Sequence, residues 1–563
     1  MNKKWQICET DKEKVEELKN KYNISELLAT ILVNKNITTQ KEIEEFLNPT
    51  RNDFFDPFLI NDMNIAVERI KKAIETQEKV IIYGDYDVDG ITSITVLKSF
   101  LKDVGLEADY YIPNRLEEGY GLNKNAIDEI AKNKYTLMIT VDCGISAIEE
   151  VDYANSLGIE VIVTDHHEPG DEIPKALAVI DNKRKDSKYP FRELAGVGVA
   201  FKVSQALGQS LGIREEEYLK YLDIVCVGTI SDIVPLVSEN RVITKLGLKL
   251  VKQTRNMGLR AIINSSGYSQ INSTTISFGV APRINACGRM GKAEQALKLL
   301  LSKDIYEVNK LTQELNGYNR ERQEIEKEIF ESVLKKIEQN GLDKNRTIVV
   351  GGEGWHHGVI GIVSSKITEK YFKPSILLSF EEDGTGKGSG RSIPGFDLHD
   401  ALMKCENCLG KFGGHSMAVG LTIKKENFEQ FYKEFEKVAE ENKTENIVPI
   451  INVDAKIELD EIDKSVVEDL KQLEPFGEAN KMPIFALKNI KIDSIRALSE
   501  GKHLKLTLRD NNQIINAIGF NIGELANEYK IGDKVDVAGV LEINTFNGVD
   551  NLQINIKDIM KSI

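Results

Sequence analysis

The sequence predicts an α/β chain in which a parallel-sheet domain, long connecting helices and a second α/β block precede an all-β barrel. Three observations carry this assignment. Between about residues 55 and 235, strand-length apolar runs alternate with helical stretches, the pattern of a doubly wound parallel sheet. Residues 302–340 are densely charged, with apolar residues at helical spacing. The last ~110 residues alternate β-type runs with turns.

Taken in order, residues 1–50 read as short helices with acidic and basic faces, a lead-in segment expected to pack on the domain that follows. The first domain is placed at 51–290. Its apolar run at 79–83 is a buried strand, and a helical stretch over 92–104 follows. Further strands fall near 108–112, 136–141 and 160–164, with helices near 124–132 and 147–157 between them. Leu311, Leu315, Ile325, Ile329 and Leu334 predict one or two long helices in the connecting segment, 291–345. The second α/β block, 346–445, opens with a strand at 347–350 running into Gly351-Gly352. The polar stretch 440–446 reads as a linker. In the final segment, 446–563, strands at 503–508, 513–518 and 534–540 fit a small Greek-key barrel.

Composition excludes several classes. The chain has 563 residues, 41% hydrophobic and 29% charged, as expected of three or four globular domains. No run approaches the ~18 apolar residues of a membrane span. The first residues, Met-Asn-Lys-Lys-Trp-Gln, lack an apolar leader, and six scattered Cys fit a reducing cytoplasm. A net charge of -15 argues against non-specific coating of nucleic acid, but leaves room for a local basic groove.

Acids mark the ends of three predicted strands. The first leads to Asp85-Tyr86-Asp87-Val88-Asp89-Gly90, the next to Asp142-Cys143-Gly144, and the last to Asp165-His166-His167. Ligand sites of parallel sheets lie outside the carboxyl ends of the strands, so these groups are expected in one crevice. Asp232, just past another apolar run, is a fourth acid. Packing such carboxylates together is costly unless cations neutralise them. Divalent metals are the natural answer, and a mixed Asp/His set suits Mn²⁺ better than Mg²⁺. The ligands suffice for two ions ~3.5–4 Å apart, the arrangement for in-line displacement at phosphorus. The alternative of a calcium loop fails at its twelfth position, which is Val96 rather than Glu. A lone strand-end Asp is usually only a helix cap, but three acid-bearing strand ends with an Asp-His-His triplet reverse that expectation.

These residues resemble the four motifs of the DHH phosphoesterase superfamily. Tyr111-Ile112-Pro113-Asn114-Arg115, Pro282-Arg283-Ile284-Asn285-Ala286-Cys287-Gly288-Arg289, Trp355-His356-His357-Gly358 and Gly413-Gly414-His415-Ser416 further resemble its RecJ branch of single-strand-specific 5′→3′ exodeoxyribonucleases. The likeness runs from about residue 50 to 563. It implies a DHH catalytic domain, a DHHA1 domain closing over its cleft, and an OB-type barrel. It implies two ions, Mn²⁺ or Mg²⁺, with Asp85, Asp87 and Asp142 on one. Asp89, Asp142, His166 and Asp232 would hold the other, Asp142 bridging, with His167 facing the scissile phosphate. Arg115, Ser389 and Arg391 would grip a 5′-terminal phosphate, Arg283 and Arg289 would line the strand's path, and His415 would contact substrate near the metals. The implied activity is release of 5′-mononucleotides from single-stranded DNA in recombination and repair, by a cytoplasmic monomer. A single-strand-binding protein or a RecQ-type helicase is the implied protein partner. Contacts made by the further C-terminal domain of some members are not carried over. Rival readings are a shorter DHH–DHHA1 enzyme on oligoribonucleotides or cyclic dinucleotides, a family II pyrophosphatase, and a non-catalytic scaffold. The first two normally lack a barrel, and the scaffolds lose acids that are all present here.

Other features stand beside the resemblance. Glycines in Gly386-Lys387-Gly388-Ser389-Gly390-Arg391 and 413–420 let a backbone approach a phosphate closely. Lys481, Lys488, Lys491, Arg496, Lys502, Lys505 and Arg509, against Asp493 and Glu500, leave a local excess of five positive charges that suits a single strand. Phe485, Phe520 and Phe546 are expected in the core rather than stacked on bases. Cys405 and Cys408 read as ordinary helix residues, since zinc would need a second pair. His399 and His503 have no role legible in the sequence.

Overall fold

The computed structural model describes residues 3–115, 117–546 and 549–562. They form two compact units: Phe55–Val234 with Leu246–Val448, and Met1–Phe54 with Pro235–Lys245 and Pro449–Ile563. Among the described residues, no helix is long and apolar enough to cross a membrane.

The first unit is built on a five-stranded parallel sheet. Its spatial order is Ala108–Tyr111, Val80–Gly84, Leu137–Val141, Glu160–Thr164, Ala178–Ile180. Val80–Gly84 and Leu137–Val141 are buried at every position, which is why both read as unbroken apolar runs. The chain leaves Val80–Gly84 toward one edge and returns on its other side. The carboxyl ends of these two central strands therefore flank the topological switch point. The three-residue fifth strand is absent from the sequence reading because it is too short to show a period. The helix that follows Val80–Gly84 starts earlier than expected, at Val88–Asp103, because Asp87 caps it. The Asp87 carboxylate accepts from the Asp89 and Gly90 amides at 2.9 and 3.1 Å.

The connecting segment is dominated by one 36-residue helix, Ile305–Asn340, about 54 Å long at the usual rise. Asp304 caps its start, and Gly341, at φ 63°, closes its end. Its first half packs on the helices Met257–Ser265, Ala281–Arg289 and Ala293–Leu301. Its second half, through Ile329, Val333 and Ile337, shares a core with Ile348, Val350, Val359, Val363 and Leu377. The sheet of the second block runs Leu409–His415, Ala418–Lys424, Thr385–Arg391, Ser375–Phe380, Ile348–Glu353, with only the last pair parallel.

Two expectations about this block are corrected. Gly386, Gly388 and Gly390 do not open the backbone to a phosphate. A Cβ there would come within 2.6–2.8 Å of Phe380, Leu378 and Val419, so they make room for core side chains. The strand's alternation then sends Lys387, Ser389 and Arg391 to the opposite face. Cys405 lies in a turn and Cys408 in the short 3-10 segment Glu406–Cys408, not in an α-helix. Both are buried, and the Cys408 thiol donates to Glu434 at 3.2 Å.

The second unit holds the barrel: Phe485–Leu498, His503–Asp510, Gln513–Gly519, Lys534–Phe546 and Val549–Lys561. Antiparallel ladders join neighbours, and a parallel pairing between Gln513–Gly519 and Val549–Lys561 closes it. The lead-in segment, expected to pack on the domain that follows, instead belongs to one compact unit with this barrel. Its helices Lys12–Tyr22, Glu26–Asn34 and Gln40–Leu47 bury Leu18, Leu28, Ile31 and Phe46 in one core with Leu473, Leu487, Leu506 and Val537. The strand Lys4–Ile7 pairs in parallel with Ile450–Val453. The amphipathic helices alone could not reveal a partner more than 400 residues away.

Arg241 ties three separate stretches of this unit together. It is 1% exposed, and its guanidinium lies 3.7 Å from the centre of the Phe46 ring. It donates to the Phe46, Leu473 and Glu474 carbonyls, and burial pushes its pKa down to about 9. Replacing Arg241 by Met would leave those carbonyls without their charged donor. The substitution is expected to cost about 3 kcal/mol, read from urea unfolding of the barrel unit. A loss below about 1 kcal/mol would show that this arginine is not the tie.

Candidate metal centre

The acids named from the sequence converge at the switch point. Asp85 and Asp142 directly follow the two central strands, and Asp87 and Asp89 sit at the start of the helix Val88–Asp103. Asp232 caps the carboxyl end of the helix Leu222–Ser231. Three sets of donor atoms lie mutually within 4.8 Å: Asp85, Asp87 and Asp142; Asp89, His166 and Asp232; and Asp142, His166 and His167. The sets adjoin, because His166 Nε2 is 3.1 Å from Asp142 Oδ1. It lies 3.7 Å from both Asp89 and Asp232.

Local structure explains how these groups are held. Asp89 accepts from the amides of Gly196 and Val197 at 2.6 and 2.8 Å, at the positive end of the helix Gly196–Ser210. That helix end presses against Asp142: a Cβ on Gly196 would lie 2.7 Å from the Asp142 carboxylate. Asp142 itself adopts φ 58°, a left-handed conformation that Asp tolerates better than most residues. Asp87 has the bland role too, since one carboxylate oxygen caps its helix and the other remains for a ligand.

Electrostatics decides what the cluster can hold. Burial, then the charge of Asp87, pushes Asp85 up to about 8. Burial and Asp87 push Asp89 up to about 7. Burial and the neighbouring carboxylates hold Asp142 and Asp232 far above the ordinary carboxylate range. Burial, then the charge of His167, drives His166 down to about 3, so its close approaches to Asp89, Asp142 and Asp232 are not ion pairs. Among the described residues, Asp85 Oδ1 and both ring nitrogens of His166 are buried without a hydrogen bond. Orphaned lone pairs, mutually repelling oxygens and a neutral imidazole fit divalent cations.

His167 belongs only to the third set, with Asp142 and His166, and is not grouped with Asp85, Asp87, Asp89 or Asp232. Asp165, absent from the sequence-derived site, fixes it: the Asp165 carboxylate is 2.7 Å from His167 Nδ1 and accepts from the amides of Ile145, His166 and His167. Burial raises the Asp165 pKa, but these bonds and the histidine charges outweigh it, and the acid stays below its ordinary value. For His167, burial lowers the pKa, and Asp165 more than restores it. The Tyr120 hydroxyl lies 3.3 Å from His167 Nε2, another contact missed from the sequence. Its signals were an aromatic between Gly119 and Gly121 and an acid beside two histidines.

The predicted basic residues divide. Arg115 stacks on Tyr86 at 5.1 Å, and Arg391 donates to Ser389 Oγ at 3.0 Å. Arg289 donates to the Gly358 carbonyl, and burial with Arg115, Arg322 and Arg391 nearby pushes it down to about 10. Burial and Arg115 likewise lower Arg391. Arg115, Arg289 and Arg391 thus share one electrostatic neighbourhood, and Arg115 lines a cavity of about 410 Å³ with Tyr86, Tyr111, Asn114 and Gly288. Arg283 is not brought into it. Its guanidinium donates to Asn316 and to the carbonyls of Gly279 and Ser265, bracing the long helix. His415 is exposed at a hairpin end, and is in none of the metal-type clusters.

The basic run of the barrel is partly neutralised: Lys481, Lys488 and Arg509 pair with Glu478, Asp536 and Asp493. Arg496 and Lys505 stand directly opposite each other on neighbouring strands, without an ion pair among the described residues. Phe485 is core, as expected, but Phe520 is 50% exposed and packs edge-on against His503. The side chain of Phe546 lies outside the described residues.

A parallel sheet presenting acids and an Asp-His-His turn at its switch point defines a DHH-type phosphoesterase domain. Family models agree: the DHH family N-terminal domain matches residues 79–229, the DHHA1 domain 344–441 and the RecJ OB domain 453–558. The chain is 39% identical over 560 residues to the single-stranded-DNA-specific exonuclease RecJ of Bacillus subtilis, covering 99% of this chain and 70% of that one. It is 32% identical to the Dickeya dadantii exonuclease of the same name, covering 95% and 96%. The crystal structure of Thermus thermophilus RecJ in complex with Mn²⁺ superposes with a TM-score of 0.86 at 29% identity, covering 100% of this chain and 80% of that one. The chain belongs to the RecJ family of exonucleases.

If Asp142 serves both ions, Asp142→Asn is expected to lose at least one of two bound Mn²⁺ in calorimetric titration. Cleavage should fall by about 100-fold or more. Asn tolerates the left-handed backbone, so the circular dichroism should not change. A variant that binds two ions and cleaves at the wild-type rate would sink the shared-ligand assignment.

Proposed function

We propose that this chain is a cytoplasmic Mn²⁺- or Mg²⁺-dependent exonuclease that degrades single-stranded DNA from the 5′ end to 5′-mononucleotides, in recombination and repair. The observation that carries the reading is the adjoining donor sets around Asp142, in the same unit as the cluster of Arg115, Arg289 and Arg391. Asp85, Asp87 and Asp142 would hold one ion, and Asp89, Asp142, His166 and Asp232 the other. Two bound ions supply charge stabilisation for both the attacking and the leaving oxygen at phosphorus.

The chain's own residues do the rest. Asp165 fixes the orientation of the His167 ring and favours its protonated form. His167 is thereby suited to donate to a non-bridging oxygen of the scissile phosphate. Arg115, Arg391 and Ser389 grip a terminal phosphate, and Arg289 joins them instead of lining the strand's path. Fixing that phosphate sets the polarity of digestion. A passage too narrow for a duplex, between the DHH and DHHA1 domains, would give single-strand selectivity. The barrel face around Arg496 and Lys505 tracks the strand backbone. Two like charges held opposite each other are destabilising until an anion lies between them. A single-strand-binding protein or RecQ-type helicase is the proposed protein partner of the monomer.

The reading is tested with strands labelled at either end, in Mn²⁺ and in EDTA. Label should leave as mononucleotide from the 5′ end first, and only with metal. In the same assay, Arg391→Ala should lower kcat/KM on 5′-phosphorylated strands roughly 10- to 100-fold more than on 5′-hydroxyl strands. Equal losses would make Arg391 a general backbone contact.

The barrel calls for point substitutions rather than truncation, because the amino-terminal helices share its core. Replacing Arg496 and Lys505 by Ala is expected to flatten the salt dependence of long-strand binding by ~0.7 log units per lost contact. Short oligonucleotides should be affected less. An unchanged slope would make this face merely solvated.

A further inference from the structure

The residue after Asp232 is in a conformation that its side chain resists. Ile233 has φ 63°, in the left-handed region that β-branched residues rarely adopt. It follows the C-cap Asp232 of the helix Leu222–Ser231, the position where a left-handed glycine ordinarily ends a helix. Burial does not offset the strain, because Ile233 is 71% exposed. Ile230 and Val234, at 5% and 9%, are buried, so the exposure belongs to this side chain and not to a frayed segment. Asp232 meanwhile contributes to the donor set with Asp89 and His166. The fold gains nothing from a strained, solvent-facing aliphatic group one residue from that set. Such outliers persist where function requires them.

A branched alkyl group offers nothing to phosphate oxygens. The other groups flanking a scissile phosphate are sugars and bases. We propose that Ile233 is a specificity-determining residue that packs against the deoxyribose beside the scissile phosphate and disfavours ribose there. The inference rests on the exonuclease reading above. Against an alkyl surface, the C2′ methylene of deoxyribose is simply desolvated, which is favourable. A ribose 2′-hydroxyl at the same place would be desolvated without a hydrogen-bond partner. Discrimination of this kind against an added hydroxyl reaches about 100-fold at most.

The experiment measures kcat/KM on 5′-phosphorylated DNA strands with and without ribonucleotides in the two 5′-terminal positions. Wild type, Ile233→Gly and Ile233→Val are compared, with thermal melting and Mn²⁺ titration of each. Wild-type digestion of the all-DNA strand tests the exonuclease reading by itself. Ile233→Gly is expected to melt at the same or a higher temperature, because the strain is gone, and to bind Mn²⁺ as wild type does. Its kcat/KM on all-DNA strands should fall roughly 10-fold, while that on the ribose-bearing strand is unchanged or rises. Ile233→Val should retain the wild-type preference. An unchanged DNA-to-ribose ratio in the Gly variant would overturn the proposal. Equal losses on both strands would overturn it too, leaving Ile233 as a helix cap that positions Asp232.

Discussion

Mutual repulsion among Asp85, Asp87, Asp89, Asp142 and Asp232 is the constraint on which the rest of the structure depends. Buried carboxylates at such separations disfavour their charged forms, and the fold must hold them together against that tendency. The parallel sheet does so by ending two fully buried strands side by side. The helix Gly196–Ser210 adds backbone amides to Asp89 and fits against Asp142 only because Gly196 has no side chain. Relief comes from divalent cations, for which these donor sets are suited.

The arginines pose the same problem with the sign reversed. Arg289 and Arg391 are lowered by burial and by their cationic neighbours, so their cluster too is unfavourable by itself. An anion at the arginines and cations at the acids would complete both. A phosphodiester chain with metal ions supplies the two together. The separation of charge within one acidic protein is thus more informative than its net value of -15.

The amino-terminal segment and the barrel form a second economy of contacts. Buried Arg241 is satisfied by carbonyls from both ends of the chain. Carbonyl acceptors with an aromatic face suffice for a guanidinium, which is less strongly hydrated than an ammonium.

What the sequence determined by itself was local and chemical. Unbroken apolar runs announced the buried strands, and acids immediately after them announced the metal-type cluster, because strand ends in a parallel sheet point into one crevice. Long-range partnership was decided only in three dimensions. Arg283 and Arg289 sit in one motif, yet one braces a helix and the other joins the arginine cluster. Nothing in their spacing separates them. Alternate glycines at 386, 388 and 390 serve the core, which depends on the side chains of strands and helices elsewhere in the block. The hold of Asp165 and Tyr120 on His167 and the strain at Ile233 likewise emerge only when backbone conformation and neighbours are known. A sequence encodes which residue types can do chemistry. Which of them meet is set by packing between segments hundreds of residues apart.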